Sequence, residues 1–297
     1  MKHAFKTFIV ALALFLAAMQ AANAQTRNAP TKTNGKITYH GGQVLTGTRN
    51  VYFIYYGCWT EQCGSAGDTP TMALLADFII NVGNTPYIQI NSTYPDSNGQ
   101  APTGTLIFGG LVVDDSYSHG TELTDADVVA MISYQVNNFQ LPQDSNGIYV
   151  VFASADISAN AMGFCATGAS PFHDVGIVNG SPVVYAFVGN PGRCPAVAAP
   201  QFVAADGTRL TTPNGSFAGD AMVTNLAHVL NTTLTDPWSD GWYDRYGLEN
   251  SDKCTGKFGQ TYTTGNGASA NIRIGGRDYM LEQNWVNDKR GGCSLSR

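Results

Sequence analysis

The residues with the clearest capacity for chemistry lie between positions 226 and 254. His228 stands in an apolar stretch with helical spacing, and Glu249 follows it 21 residues later. Zinc hydrolases use a helical His at position i, a second ligand at i+4, a Glu at i+1 as general base, and a third ligand from further along the chain. The segment therefore raises the hypothesis of a metal-dependent hydrolase.

Two positions in this segment depart from that pattern. Val229 stands where the general base belongs, and Thr232 stands where the second ligand belongs. The favoured interpretation is an ordinary helix histidine whose hydrogen bonds are satisfied. The alternative is a weak or altered zinc site that uses His228, Glu249 and His173. We predict no catalytic residue.

Other polar and aromatic residues in the same region are candidates for ligand binding. Trp242 and Tyr243, with Trp238 and Trp285, could offer rings to a sugar or peptide, although such large side chains often belong to the core. Asp236 and Asp252 either cap local backbone, as aspartates in turns usually do, or contact a ligand. The acidic pairs at 114–115 and 125–127 have ordinary uses in turns and at helix N-termini.

The elements that must position these residues follow from hydrophobic periodicity. Buried strands are predicted at 51–56, 148–152 and 183–188, and two short strands at 106–108 and 111–113. Helices are predicted from Thr69 to Val82, from Thr124 through Val136, and from about 220 to 234. A hairpin with a Gly-Gly turn is predicted over 270–281.

The N-terminus and the overall charge predict an exported, acidic protein. Lys2 and Lys6 precede an apolar run of 11 residues, and Ala22–Ala24 provides a cleavage site, so residues 1–24 are predicted to be a signal peptide. Residues 25–36 are predicted to be a flexible leader. The net charge is −6, and it becomes about −8 without the two lysines. The absence of basic clusters argues against nucleic acid as a partner.

All six cysteines fall in the predicted mature chain. An even number of cysteines in an exported protein indicates disulfides, and six cysteines allow 15 pairings. Loop closure favours three sequential pairs: Cys58–Cys63, Cys165–Cys194 and Cys254–Cys293.

Several stretches appear in a specific order along residues 37–293. They include Tyr39–Gly42, Val51–Gly57, Phe164–Cys165, Tyr185–Asn190, Gly219–Ala227, Thr235–Pro237 and Gly276–Leu281. Together they resemble the EXORDIUM-like, phosphate-induced family of secreted proteins, best known from plants. The resemblance implies secretion and no established enzyme activity. It also supports the Cys165–Cys194 and Cys254–Cys293 pairs, whereas Cys58–Cys63 departs from the plant pattern.

A second resemblance covers the segment from residue 228 to 254. It is similar to secreted bacterial zinc-dependent peptidases that have a His-Glu helix running into Thr-Asp-Pro, Gly-Trp-Tyr-Asp and an acidic segment before a cysteine. Here His228, Asp236, Glu249, Asp252 and Cys254 match that pattern, whereas Val229 and Thr232 do not. The implied structure is a zincin-like scaffold that has lost its catalytic pair.

We therefore expect residues 37–297 to form one α/β domain that leans towards α+β. It would have a mixed sheet with packed helices, a zincin-like character and a loop-rich C-terminal part closed by disulfides. We expect a secreted, non-catalytic protein without a cofactor, which does not span a membrane and which binds an extracellular or cell-wall polysaccharide or protein. In a Gram-negative cell the location would be the periplasm. The alternatives are an altered zinc peptidase and a carbohydrate-binding protein.

Overall fold

Strand β2, at Gly47–Tyr56, forms the middle of the core. A computed structural model describes residues 36–63, 67–165 and 171–297, so the predicted signal peptide and nearly all of the predicted leader lie outside the described residues. Residues 51–56 of β2 are all buried. Their β-branched and aromatic side chains suit a strand with both faces covered. The predicted strand at 51–56 is confirmed.

Within the described ranges, the main sheet has five strands: β2 and the strands β3 Pro102–Asp114, β4 Gly147–Ala153, β5 Phe172–Val178 and β6 Ser181–Val188. Their order across the sheet is β3-β2-β4-β6-β5. The pairs β3-β2, β2-β4 and β4-β6 are parallel, and β5 runs antiparallel to β6. The sheet is mixed, as predicted.

Helices cover both faces of this sheet. The described residues contain four α-helices: α1 Thr69–Val82, α2 Asp125–Asn137, α3 Pro195–Ala198 and α4 Phe217–Thr235. Alternate side chains of a strand point to opposite faces, so Phe53 of β2 packs with α1 and α4, whereas Ile54 packs with α2. The predicted Thr124 cap is confirmed, because Asp127 accepts the N–H of Thr124 at 2.8 Å. Helix α4 begins at Phe217, three positions before its predicted start near 220, and Ser216 caps it by accepting the N–H of Gly219 at 3.0 Å.

Short paired strands and turns make up much of the remainder. Near the N-terminus β1 (Thr38–Tyr39) pairs with β7 (Trp242–Tyr243). The C-terminal part contains three antiparallel pairs: β8 Tyr262–Thr263 with β9 Ser269–Ala270, β10 Ile272–Ile274 with β11 Arg277–Tyr279, and β12 Asn284–Val286 with β13 Gly292–Ser294. The predicted Gly-Gly hairpin corresponds to β10 and β11. In the described part of the chain, none of the helices has the length and apolar character of a membrane span.

The prediction of two short strands at 106–108 and 111–113 is wrong, because both belong to the single strand β3. The register of β3 against β2 shifts between Phe108 and Gly110, which leaves Gly109 as an extra residue in a bulge. A Cβ at Gly109 would lie 2.4 Å from the ring of Tyr52. The glycine therefore lets this ring pack against the strand without interrupting the sheet.

Two of the three predicted disulfides are present among the described residues. Cys165 is bonded to Cys194, and Cys254 is bonded to Cys293. The side chain of Cys63 lies outside the described residues, so the Cys58–Cys63 pair stays a prediction. The Cys254–Cys293 bond joins the segment that carries Glu249 and Asp252 to the end of the chain, as expected for a disulfide-closed C-terminal part.

Candidate functional site

His228 lies in α4 with its ring held between two carboxylates. Its Nδ1 is 2.9 Å from Oε2 of Glu282, and its Nε2 is 3.1 Å from Oδ1 of Asp252. Only 6% of the residue is exposed. Burial alone would lower the pKa of this imidazole, but hydrogen bonds and charge from Asp252 and Glu282 outweigh burial and raise the pKa to about 10. His228 is therefore an imidazolium at neutral pH.

Backbone groups fix the two carboxylates that hold His228. The second oxygen of Glu282, Oε1, accepts the N–H of Gly256 at 2.7 Å. The second oxygen of Asp252, Oδ2, accepts the N–H of Glu249 at 3.0 Å. Burial would raise the pKa of Asp252, but the hydrogen bond and charge of His228, the N–H of Glu249 and the charge of His173 together outweigh burial and lower the pKa below its usual value. Both carboxylates are thus held in position by backbone groups before any ligand arrives.

His173 comes from the edge strand β5 and contacts Glu249. Its Nε2 lies 3.1 and 3.2 Å from the two carboxylate oxygens of Glu249. The ring is almost completely buried. Burial would lower its pKa, but the charges of Glu249, Asp236 and Asp252 raise it instead. Its Nδ1 has no hydrogen-bond partner among the described residues.

Asp236 ends helix α4 and lies against Glu249. Its Oδ1 accepts the N–H of Gly241 at 2.6 Å, which closes the turn after the helix. Burial and, next, the neighbouring charge of Glu249 raise the pKa of Asp236 to about 7. At neutral pH Asp236 is therefore partly protonated. It both caps local backbone and faces another side chain of the cluster.

We call the six residues that meet here the carboxylate–imidazole cluster: His173, His228, Asp236, Glu249, Asp252 and Glu282. The first five were singled out from the sequence, and the fold brings all of them together. Glu282 was missed. It follows the β10-β11 hairpin, and no motif spacing relates it to His228, so only the packing of that hairpin against α4 could reveal it.

A network of buried asparagines holds the cluster's backbone in place. Asn250, which follows Glu249, donates to Oδ1 of Asn91 at 2.9 Å and to the carbonyl of Asn231 in α4 at 3.0 Å. Asn91 in turn donates to Oδ1 of Asn231 at 2.6 Å. Because these groups are buried and mutually satisfied, the network fixes the segment 249–252 relative to α4.

The residues of the cluster do not fit a three-ligand zinc site. Among the described residues no group of three or more His, Cys, Asp or Glu side chains could hold a metal ion. Both ring nitrogens of His228 are hydrogen-bonded to carboxylates, and His173 contacts a different carboxylate. A zinc-bound histidine needs a nitrogen lone pair directed at the metal. The proposed set of His228, Glu249 and His173 stays a prediction that metal analysis can test.

The predicted aromatic residues divide into packed and exposed rings. Trp242 donates its Nε1–H to the carbonyl of Pro95 at 3.0 Å and packs against other aromatic rings, so it is mainly structural. Tyr243 stacks on His40 with a centroid distance of 3.6 Å. Trp238 and Tyr246 remain 39% and 44% exposed. Tyr246 was missed because a single tyrosine in a turn carries no periodic signal.

Sequence comparison now places the chain in a family. A family model described as the phosphate-induced protein 1 conserved region matches residues 37–279. The chain belongs to this family. The resemblance predicted from short stretches is thereby confirmed for most of the chain. The zincin-like character of residues 228–254 stays a prediction.

Curated members of the phosphate-induced protein 1 family are similar along most of their length. Protein EXORDIUM-like 5 of Arabidopsis thaliana is 27% identical over 87% of this chain and 77% of its own. Protein EXORDIUM of the same plant is 27% identical over 75% of this chain and 74% of its own. Protein PHOSPHATE-INDUCED 1 of Nicotiana tabacum is 25% identical over 84% of each chain. No solved structure matches the chain.

Proposed function

We propose that this member of the phosphate-induced protein 1 family is a secreted, non-catalytic protein that binds an extracellular polysaccharide. The binding surface is the loop from Asp236 to Glu249, which we call the aromatic loop. The two disulfides support a location of the protein outside the cytoplasm, because disulfides persist in oxidising compartments.

The observation that carries this proposal is the exposure of two large rings in the aromatic loop. Trp238 and Tyr246 keep 39% and 44% of their surface in water, although rings of this size are usually covered. A flat ring offers a surface for the apolar face of a sugar. The neighbouring Glu249 and Asp252 side chains are partly exposed and supply acceptors for sugar hydroxyl groups.

The non-catalytic part of the proposal is supported by the state of His228. The helix residue after His228 is Val229, whose side chain has no proton to transfer. The two ring nitrogens of His228 already have carboxylate partners. A general base must be free to accept a proton from the substrate or from water. An imidazolium whose two N–H groups both donate to carboxylates cannot accept a proton.

Retention on insoluble polysaccharides tests the proposed function. Mature protein is mixed with cellulose, chitin or peptidoglycan, and bound and free fractions are measured. Replacing Trp238 or Tyr246 with Ala should weaken retention about tenfold, equivalent to roughly 1.4 kcal/mol of binding free energy. Tyr134→Ala is the matched control, because this exposed ring lies on α2 at the opposite face of the sheet. Equal retention of all variants, or no retention of the wild type, would contradict the proposal.

A second candidate function is a secreted metal-dependent peptidase with an altered site. One observation favours it: two histidines 55 positions apart in the sequence both lie next to the same small group of carboxylates. Zinc binding would then require the His228 ring to exchange at least one carboxylate partner for the metal. Metal analysis separates this candidate from the first.

A further inference from the structure

Lys253 and Asp244 form an ion pair that is completely shielded from water. Nζ of Lys253 lies 3.0 Å from Oδ2 of Asp244, and both side chains are 0% exposed. The ring of Trp285 covers the amine, with its centroid 5.1 Å from Nζ. Removing an amine and a carboxyl group from water is costly, so each group depends on the other as its partner.

The two oxygens of the Asp244 carboxyl group have different environments. Oδ1 accepts two backbone hydrogen bonds, from the N–H of Tyr246 at 2.8 Å and from the N–H of Leu248 at 3.1 Å. Oδ2 contacts only the amine of Lys253 among the hydrogen bonds of the described residues. Two fixed N–H donors on one oxygen are the arrangement that stabilises a tetrahedral acyl intermediate, and a desolvated lysine amine is a nucleophile.

We propose that Lys253 and Asp244 become joined by an intramolecular isopeptide bond. One proton passes from the ammonium group to Oδ2 along the 3.0 Å hydrogen bond, which gives an amine and a carboxylic acid. Nζ then attacks Cγ, and the negative charge that develops on Oδ1 is held by the N–H groups of Tyr246 and Leu248. A second proton moves from Nζ to Oδ2, the Cγ–Oδ2 bond breaks, and water leaves.

This reaction needs no oxidant, cofactor or second protein. Three hydrogens of the ammonium group are divided between one water molecule and the amide N–H, and the product is neutral. The fold holds the reacting groups in contact, which replaces the entropy cost of bringing them together. Because the shielded pair excludes water, the reverse hydrolysis is also disfavoured.

The bond would close a loop of nine positions that contains Glu249 and Asp252. The adjacent Cys254 is already bonded to Cys293. The segment that supplies two carboxylates to the carboxylate–imidazole cluster would then be covalently fixed at both of its ends. This inference is independent of the proposed function, because it concerns the scaffold and not the ligand.

Mass spectrometry of the mature protein tests the proposal directly. After reduction and denaturation, the wild type should be lighter than its sequence mass by one water molecule. Trypsin should fail to cleave after Lys253, and the peptides that contain residues 244 and 253 should remain linked. Lys253→Arg should have its full sequence mass, because a guanidinium keeps the positive charge but stays protonated and is not a nucleophile.

Two results would overturn the isopeptide bond. The first is a wild type with full sequence mass and normal tryptic cleavage after Lys253, which would leave a buried ion pair. This result is obtained on the wild type alone, so it does not depend on folding of the variant. The second is a loss of water that persists in Lys253→Arg, which would place the dehydration elsewhere, for example in a succinimide at Asp206-Gly207 or Asp240-Gly241.

Discussion

The charge of His228 predicts a specific loss of stability at alkaline pH. In the unfolded chain this imidazole has an ordinary pKa of 6.5, and in the folded protein Asp252 and Glu282 raise it to about 10. A raised pKa means that the folded state holds the proton more tightly. The stabilisation is therefore complete below pH 6.5 and is lost as the pH rises through about 10. The difference corresponds to roughly 5 kcal/mol, at about 1.4 kcal/mol per pH unit.

Urea unfolding of wild type and His228→Gln, with the disulfides intact, measures this effect. Near neutral pH the variant should be less stable by several kcal/mol, because glutamine offers no positive charge to the two partly buried carboxylates. The difference between the two proteins should shrink steadily as the pH approaches 10. His119→Gln is the control. Its partner Asp127 lies 3.3 Å away, but both side chains are about a quarter exposed, so its effect should stay within about 1 kcal/mol.

A constant difference in stability between wild type and His228→Gln at every pH would contradict a charged His228. It would mean that His228 is neutral in the folded protein, and a neutral imidazole keeps a lone pair for a metal or for a proton. A neutral His228 could then take part in catalysis.

Three further outcomes follow from the site and its scaffold. Purified protein supplied with zinc should contain no stoichiometric metal by elemental analysis, whereas one zinc per chain that is lost in His228→Ala would establish the altered peptidase. Asn250→Ala should lower the free energy of unfolding by about 2 kcal/mol in urea, because it removes two buried hydrogen bonds, one to Asn91 and one to Asn231. An effect no larger than that of the exposed Asn98→Ala would contradict the buried network. Replacing both Cys254 and Cys293 with Ser should lower the free energy of unfolding by roughly 2–5 kcal/mol in the same assay. An unchanged midpoint of the urea transition would show that the disulfide adds no stability.

The elements with a strong hydrophobic period could be predicted from the sequence. Helix α4 was expected at about 220–234 and spans Phe217–Thr235, and the strand at 148–152 lies within β4. Both have continuous buried faces, so the pattern of apolar residues records their environment directly. Strand β5 was missed. It is an edge strand that contains Asp174 and Gly176, and buried and exposed residues alternate only weakly along it. Neither strand propensity nor hydrophobic alternation therefore predicts a strand here.

The candidate site could be predicted only in part, for a related reason. His228 and the acidic residues near it lie close together in the sequence, which made them visible. The contact between His173 and Glu249 spans 76 positions, and the contact between His228 and Glu282 spans 54. Such pairs depend on how the edge strand and the C-terminal hairpin pack against α4. Hydrophobic periodicity carries no information about that packing.

The order of the cysteines has a consequence for biogenesis. Each of the two described disulfides joins cysteines that are neighbours in the cysteine order, Cys165 with Cys194 and Cys254 with Cys293. In the predicted export through a translocation channel, Cys165 and Cys194 emerge before Cys254 and Cys293. Oxidation in order of emergence would then yield these two bonds directly, without thiol exchange between the pairs. Under that prediction, these two bonds require a thiol oxidase but no disulfide isomerase.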